Sequence, residues 1–267
     1  MVSTVYGAVR RPPTTVRPEV YICEVPSLLK FPDGSSAAVQ SLTADAARKV
    51  GEVALSAVDA AIEGRWTAAK QRANRLTGDS VDAKVKALSK LYAKEMGTVG
   101  AVTGAAAAVP TFGTAAALSA GAAEFSWFTV RSSELILTIA ALHGHTKSTM
   151  DERRAWILSL LIFGDGASAG FTRLAGEVGK GVGKKATVKM PLAVIRGINS
   201  SLGRTIVTKY GKKRGVIAIG TAFPFGVGAV VGGTANYTGV RLLARHANKF
   251  FKNLPYETIR DDTFASD

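Results

Sequence analysis

The amino-acid sequence predicts an all-α protein, a single helical bundle domain with two proline-interrupted Ala/Gly-rich apolar helical segments. Apolar residues recur at helical spacing through most of the chain, and no long run alternates at strand spacing. Two stretches carry no charge, residues 96–123 and 215–240, and each is broken near its middle by proline and glycine. We expect the domain to cover residues 41–252, between a flexible tail at 1–40 and an acidic tail at 253–267.

The first predicted helix covers residues 41–75 and ends before Gly78. Asp79 or Ser80 then caps a second helix, whose solvent side carries four lysines. The apolar face of the first helix consists of Val50, Val53, Ala54, Ala57, Val58, Ala61 and Ile62, and the lysines are Lys84, Lys86, Lys90 and Lys94.

The middle of the chain predicts a long helix from about Thr114 to Leu142, ended by His143-Gly144-His145. Thr149 and Glu152 have the spacing of a capping box and open the next helix. A Gly-rich basic stretch follows from Gly164 to Lys189. The turn that interrupts the first uncharged stretch contains Pro110, Phe112 and Gly113.

Pro191 is well placed as the first residue of a further helix. The second uncharged stretch is then interrupted, after which a helix resumes and becomes basic at Arg241 and Arg245. The interrupting residues are Phe223, Pro224, Phe225 and Gly226. The two uncharged stretches resemble each other, which suggests an internal duplication.

Positive charge is concentrated in one part of the chain. The net charge is +14, and residues 173–214 contribute +10 of it, from eleven Lys or Arg against Glu177. Such a block favours an anionic partner, although a solvated face that only aids solubility has the same composition. The candidate contacts to an anionic surface are Lys184, Lys185, Lys189, Lys212, Lys213, Arg214, Arg241 and Arg245.

Three charged residues lie along one face of the long middle helix. Glu124 and Arg131 are seven residues apart, and Arg131 and Glu134 are three apart and able to pair. These residues form a candidate buried polar stripe facing a cavity or a partner. The alternative is a structural ion pair at the edge of the bundle.

We predict no catalytic, cofactor or metal site. A single cysteine, Cys23, excludes a disulfide framework, and the three histidines accompany no nucleophile motif. Residues 164–169 fit a loose dinucleotide pattern but follow a predicted helix, whereas that pattern requires a strand. His143 and His145 are close enough in sequence to bind a metal, although two histidines on a loop more often satisfy the end of a helix.

Four segments together resemble the EcsC family of bacterial proteins. They are Ala107–Thr114, Ile139–Gly144, the Asp151-Glu152-Arg153-Arg154 motif leading into Ile157–Leu160, and Phe223–Gly233 followed by Asn236 and the basic helix. The resemblance spans residues 40–252, with conservative departures at Glu124 and His143. It implies a helical, membrane-associated accessory protein and supplies no established chemistry or site residues.

Each half of the second uncharged stretch is too short to span a bilayer, and basic residues flank both ends. This pattern favours a shallow hairpin in one leaflet, although a soluble bundle with tightly packed Ala/Gly-rich helices remains open. No signal peptide is visible, so we expect a cytoplasmic protein at the inner face of the cell membrane. The leading partner is an anionic membrane surface or a membrane protein complex. The alternative is nucleic acid, bound through residues 173–214.

Overall fold

The computed structural model of the chain describes residues 44–106, 114–179, 189–207, 227–254 and 257–259. The described part is 88% helical, which confirms the predicted all-α fold. The helices are α1 (Ala44–Gly64), α2 (Trp66–Arg75), α3 (Val81–Ala106), α4 (Thr114–Leu142), α5 (Met150–Phe163), α6 (Ala167–Val178), α7 (Leu192–Thr205) and α8 (Val227–Lys252), with a 3₁₀ turn at Gly164–Gly166.

The local signals in the sequence mark most helix ends correctly. Helix α4 runs from Thr114 to Leu142 as predicted, and Gly144 follows it with a φ of +86°, which favours glycine. Thr149 caps α5 through both bonds of a capping box with Glu152. Of the two residues proposed to cap α3, Ser80 is the one that accepts a hydrogen bond from the first turn, at 3.1 Å from the Ala83 nitrogen.

Two predictions about elements were wrong, and one helix lies in a stretch to which no element was assigned. The helix predicted over 41–75 is two helices, because the chain breaks at Arg65 after the poor helix former Gly64. The Gly-rich stretch after Gly164 contains α6, where Gly170 allows close packing: a Cβ there would lie 2.6 Å from the Phe163 ring. Pro191 precedes α7 instead of beginning it.

One short ladder departs from the prediction of no β-structure. Strands β1 (Lys189–Pro191) and β2 (Glu257–Ile259) pair in parallel, with Lys189 opposite Glu257. This pairing places three residues of the predicted acidic tail in a strand. The ladder has only three residues a strand, so the fold remains all-α.

A continuous hydrophobic core joins all eight of these helices. Most of the predicted apolar face of α1 is buried in it, including Ala54 and Val58, and α7 contributes Ile195 and Ile198. Further core side chains are Ala69 in α2, Leu88 in α3, Ile136 in α4, Trp156 in α5, Phe171 in α6 and Phe250 in α8.

Helices α3 and α8 form a close antiparallel pair. A Cβ on Gly97 would lie 3.3 Å from the Gly233 carbonyl oxygen, and a Cβ on Gly233 would lie 3.1 Å from Ala101. At the other end of the pair, Asn248 donates a hydrogen bond to Asp82. Helix α4 is also antiparallel to α3. Arg131, in the middle of α4, contacts Glu95 in the second half of α3, whereas His143, directly after α4, contacts Asn248, which binds Asp82 at the start of α3.

Candidate functional site

The candidate polar stripe on α4 is part of a buried ion-pair network. Glu134 is 1% exposed, and its two oxygens bind two arginines: Arg131 at 2.6 Å and Arg72 at 3.2 Å. Arg131 also binds Glu95, at 2.5 Å. The network therefore joins α2, α3 and α4 around one buried carboxylate. Glu124 belongs to α4, but its side chain lies outside the described residues.

Tyr92 is buried at the centre of this network, a role that the sequence did not indicate. Its ring lies between two guanidinium groups, with the Arg131 carbon 4.7 Å and the Arg72 carbon 5.3 Å from the ring centre. Burial raises the pKa of Tyr92, and the negative charge of Glu134 raises it further. The hydroxyl makes no well-formed hydrogen bond within the described part of the chain.

This arrangement is suited to holding helices together. Every charged group in it faces an opposite charge, and the carboxylate is neutralised by two cations. A general base or nucleophile would need access to a substrate, whereas Glu134 is enclosed. The geometry therefore favours the structural ion-pair interpretation of Arg131 and Glu134 over a polar stripe that faces a cavity or a partner.

The two histidines after α4 attach this helix end to α8. The Nε2 atom of His143 lies 2.8 Å from the Asn248 side-chain oxygen, and Asn248 donates to Asp82 at 2.7 Å. His145 lies between the rings of Trp156 and Phe251, and burial lowers its pKa. Within the described ranges, no group of three His, Cys, Asp or Glu side chains is arranged to hold a metal ion.

The loose dinucleotide pattern lies in a helical context. The 3₁₀ turn Gly164–Gly166 follows helix α5 directly, and no strand leads into it. Asp165 binds Lys249 of α8 at 3.0 Å, and this contact lowers the pKa of the carboxyl group. The turn therefore contacts α8 through an ion pair, without the strand that a nucleotide-binding loop requires.

The described part of the basic block is less available than its composition suggests. Arg196 binds Asp151 at 3.1 Å, and Arg173 lies 3.8 Å from Glu177. The side chains of the block that were predicted to contact an anionic surface lie outside the described part of the structure. They are Lys184, Lys185, Lys189, Lys212, Lys213 and Arg214, and for Lys189 only the backbone, in β1, is described.

Arg241 and Arg245 are the predicted contacts whose side chains are described. Arg245 is exposed, whereas Arg241 is half-buried and donates to the Tyr237 hydroxyl at 3.4 Å. Helix α8 contains no acidic residue. The side of the domain that carries these two arginines is therefore positively charged.

The turns of the two uncharged stretches lie outside the described residues. These are Pro110, Phe112 and Gly113 in the first, and Phe223, Pro224, Phe225 and Gly226 in the second. The helix ends that border them are described: α3 ends at Ala106, α4 begins at Thr114 and α8 begins at Val227. Because α3 is antiparallel to both other helices, these three ends lie at the same end of the domain, which we call the proline end.

One described helical run has the length and composition to cross a membrane. It is Met150–Val178, with 29 residues and a mean hydropathy of 1.3, and 61% of its most apolar window is buried inside the protein. Its side chains include Trp156 and Phe171 of the hydrophobic core. By itself, therefore, this run is weak support for a membrane span.

Comparison with known proteins assigns no relative to the chain. No protein-family model matches it, no curated protein matches it, and no solved structure is significantly similar to it.

Proposed function

We propose that this protein is a non-enzymatic accessory or scaffolding protein of the EcsC type that associates reversibly with the inner face of a bacterial cell membrane. The observation that carries the proposal is the arrangement of α3, α4 and α8. Their ends at Ala106, Thr114 and Val227, which border the undescribed turns of the two uncharged stretches, lie at the same end of the domain.

This arrangement favours membrane association for a physical reason. The proline-centred turns of the two uncharged stretches, bordered by helix ends at one end of the domain, can enter the same leaflet together, and each buried methylene group contributes about 0.8 kcal/mol. Lys212, Lys213 and Arg214 directly precede the second segment, where they would meet anionic headgroups. A pair of segments entering from one side needs no complete span, in agreement with their short apolar halves.

A non-enzymatic role agrees with the polar clusters that are described. Glu134 is enclosed by cations, and His143 is engaged with Asn248. These groups connect helices and leave little freedom for proton transfer to a substrate. The resemblance to the EcsC family favours the same accessory role.

Flotation with vesicles tests the proposal. We expect the full chain to float with anionic vesicles and, because apolar insertion is not screened by salt, part of the binding to survive high salt. Replacing Phe223 and Phe225 together by Asp should abolish the salt-resistant part. The matched control replaces the exposed residues Met150 and Thr67 by Asp, in the first turns of helices α5 and α2.

A gel-shift with duplex DNA on the same protein separates the main alternative. DNA binding without vesicle association at any salt concentration would contradict the proposal and favour nucleic acid as the partner. Loss of vesicle binding in the Met150→Asp/Thr67→Asp control would show that added negative charge, and not the loss of the two phenylalanines, is responsible.

A further inference from the structure

Helices α3 and α8 together expose five cations on one side of the domain, which we call the α3–α8 flank: Lys86, Lys90, Lys94, Arg241 and Arg245. The three lysines are four residues apart and form one row about 12 Å long on α3. The two arginines form a second row on α8. All five are exposed except Arg241, which is half-buried.

The register of the antiparallel pair brings the two rows side by side. Gly97 packs against Gly233, Asn236 donates to the Met96 carbonyl oxygen, and Asn248 donates to Asp82. This register places Arg241 level with Lys90, and Arg245 level with Lys86. The five cations therefore belong to one surface, although 150 residues separate the rows in the sequence.

The positive charge of the flank is not neutralised by the described acids around it. Glu95 binds Arg131 of the internal network, and Asp82 is engaged by Asn248, with Lys252 at 3.8 Å. Within the described part of the chain, none of the five flank cations forms an ion pair. By contrast, two of the three described arginines of the basic block, Arg173 and Arg196, have acidic partners, and the third, Arg204, donates a hydrogen bond to Ser200.

We propose that the α3–α8 flank is the face that docks onto an anionic lipid bilayer, with α3 and α8 lying along the membrane surface. This inference rests on the proposed function and adds the orientation of the domain to it. Two parallel rows of unpaired cations match the spread-out negative charge of anionic headgroups. Leu91 and Tyr237, which are 53% and 39% exposed, lie beside the rows and offer apolar surface at headgroup depth.

The proline end supports a bilayer as the occupant over nucleic acid. Helices α3 and α8 border the two uncharged segments at Ala106 and Val227. If these helices lie on the membrane surface, the segments that continue from them start at that surface. A nucleic acid on the flank would use the cations but would leave the exposed Leu91 without a function.

The decisive experiment compares two triple variants of the full chain. The flank variant is Lys90→Gln/Lys94→Gln/Arg245→Gln, and the control is Arg65→Gln/Arg75→Gln/Arg173→Gln. All six residues are exposed, and both variants lose three positive charges. Each cation at an anionic surface contributes roughly fivefold to partitioning, so the flank variant should bind phosphatidylserine-containing vesicles about 100-fold more weakly than wild type. The control should stay within about threefold of wild type, since its cations lie elsewhere.

A fluorescent label tests the orientation directly. With Cys23 replaced by Ser, an environment-sensitive dye on Leu91→Cys should shift to the blue when vesicles are added. The same dye on Met150→Cys, which is also exposed, should not shift. A shift at Met150 alone would overturn the inference.

The outcomes separate this inference from the proposed function. If wild type binds vesicles and the two triple variants weaken binding equally, the flank is not the docking face, and the proposed function stands. If wild type binds no vesicles at all, both fail. If the flank variant keeps vesicle binding and loses retention of duplex DNA, the flank belongs to a nucleic-acid site and the inference is overturned.

Discussion

Replacing Glu134 by Gln should destabilise the fold far more than the same change at Glu95. Both carboxylates bind Arg131, at 2.6 Å and 2.5 Å, but the Glu134 side chain is 1% exposed and the Glu95 side chain is 38% exposed. The pair of substitutions therefore changes the same chemical group with the same partner in two different environments.

The expected magnitudes follow from that difference in exposure. Glu134→Gln leaves Arg72 and Arg131 facing a neutral amide, and Arg131 is itself mostly buried, with 13% of its side chain exposed. Breaking a buried ion pair costs about 3–5 kcal/mol, whereas an exposed pair contributes about 0.2–1 kcal/mol. We expect Glu134→Gln to lower the free energy of unfolding by about 3 kcal/mol and Glu95→Gln by less than about 1 kcal/mol.

Urea denaturation followed by far-UV circular dichroism measures both values, provided that the m-value, the slope of the free energy of unfolding against urea concentration, is the same in each variant. Adding Arg131→Met to Glu134→Gln should cost less than the sum of the two single changes, because the double variant no longer buries that unpaired cation. Equal costs for Glu134→Gln and Glu95→Gln would refute the reasoning, since they would show that the enclosed position of Glu134 has no energetic consequence.

Three further predictions follow from single residues. Burial lowers the pKa of His145, so this side chain is protonated more readily in the unfolded chain than in the folded one, and stability should fall as the pH drops below the ordinary value of about 6.5. The decrease in melting temperature between pH 7 and 5 should therefore be smaller in His145→Gln than in wild type. Gly170→Ala should destabilise the protein by about 1–3 kcal/mol through its clash with Phe163, whereas Gly176→Ala in the same helix has free space and should stabilise it by about 0.5–1 kcal/mol. Urea denaturation measures both values, and a Gly176→Ala variant that is no more stable than Gly170→Ala would contradict this. Burial raises the pKa of Tyr92, so this tyrosine should ionise only above the ordinary range near pH 10. Subtracting the ultraviolet titration of Tyr92→Phe from that of wild type isolates the phenolate absorbance of Tyr92 and measures this.

Local signals were sufficient for the elements whose ends have specific residue types. Helix α4 follows from its apolar period and from the glycine after it, and α5 follows from the Thr149 and Glu152 capping box. Helix α6 was missed because its glycines indicate a loop, and only the packing of Phe163 explains why Gly170 is there. The strand β1 has three residues, too few for any period, and its partner is more than 60 residues away.

The polar network was predictable only where it is local. Arg131 and Glu134 are three residues apart on one helix, so their pairing follows from helical geometry. Arg72 and Glu95 lie on other helices, and their arrival at the same point depends on how α2 and α3 pack against α4. Tyr92 gave no signal, since an aromatic residue on the apolar face of a helix is ordinary core composition.

The distribution of charge along the sequence does not locate the positively charged surface of the folded domain. The surface to test for an anionic partner is therefore different from the one that the sequence indicates. Counting along the sequence points to residues 173–214, with eleven cations and one acid, and away from residues 41–95, where ten cations face seven acids. An electrostatic surface depends on which charges remain unpaired after folding. Arg173 and Arg196 have acidic partners, while Lys86, Lys90 and Lys94 form no ion pair with a described acid, and the nearby Glu95 and Asp82 bind other residues. A segment with a small net charge thus contributes the larger of the two rows of cations on the α3–α8 flank, and helix packing, not local charge density, places them together.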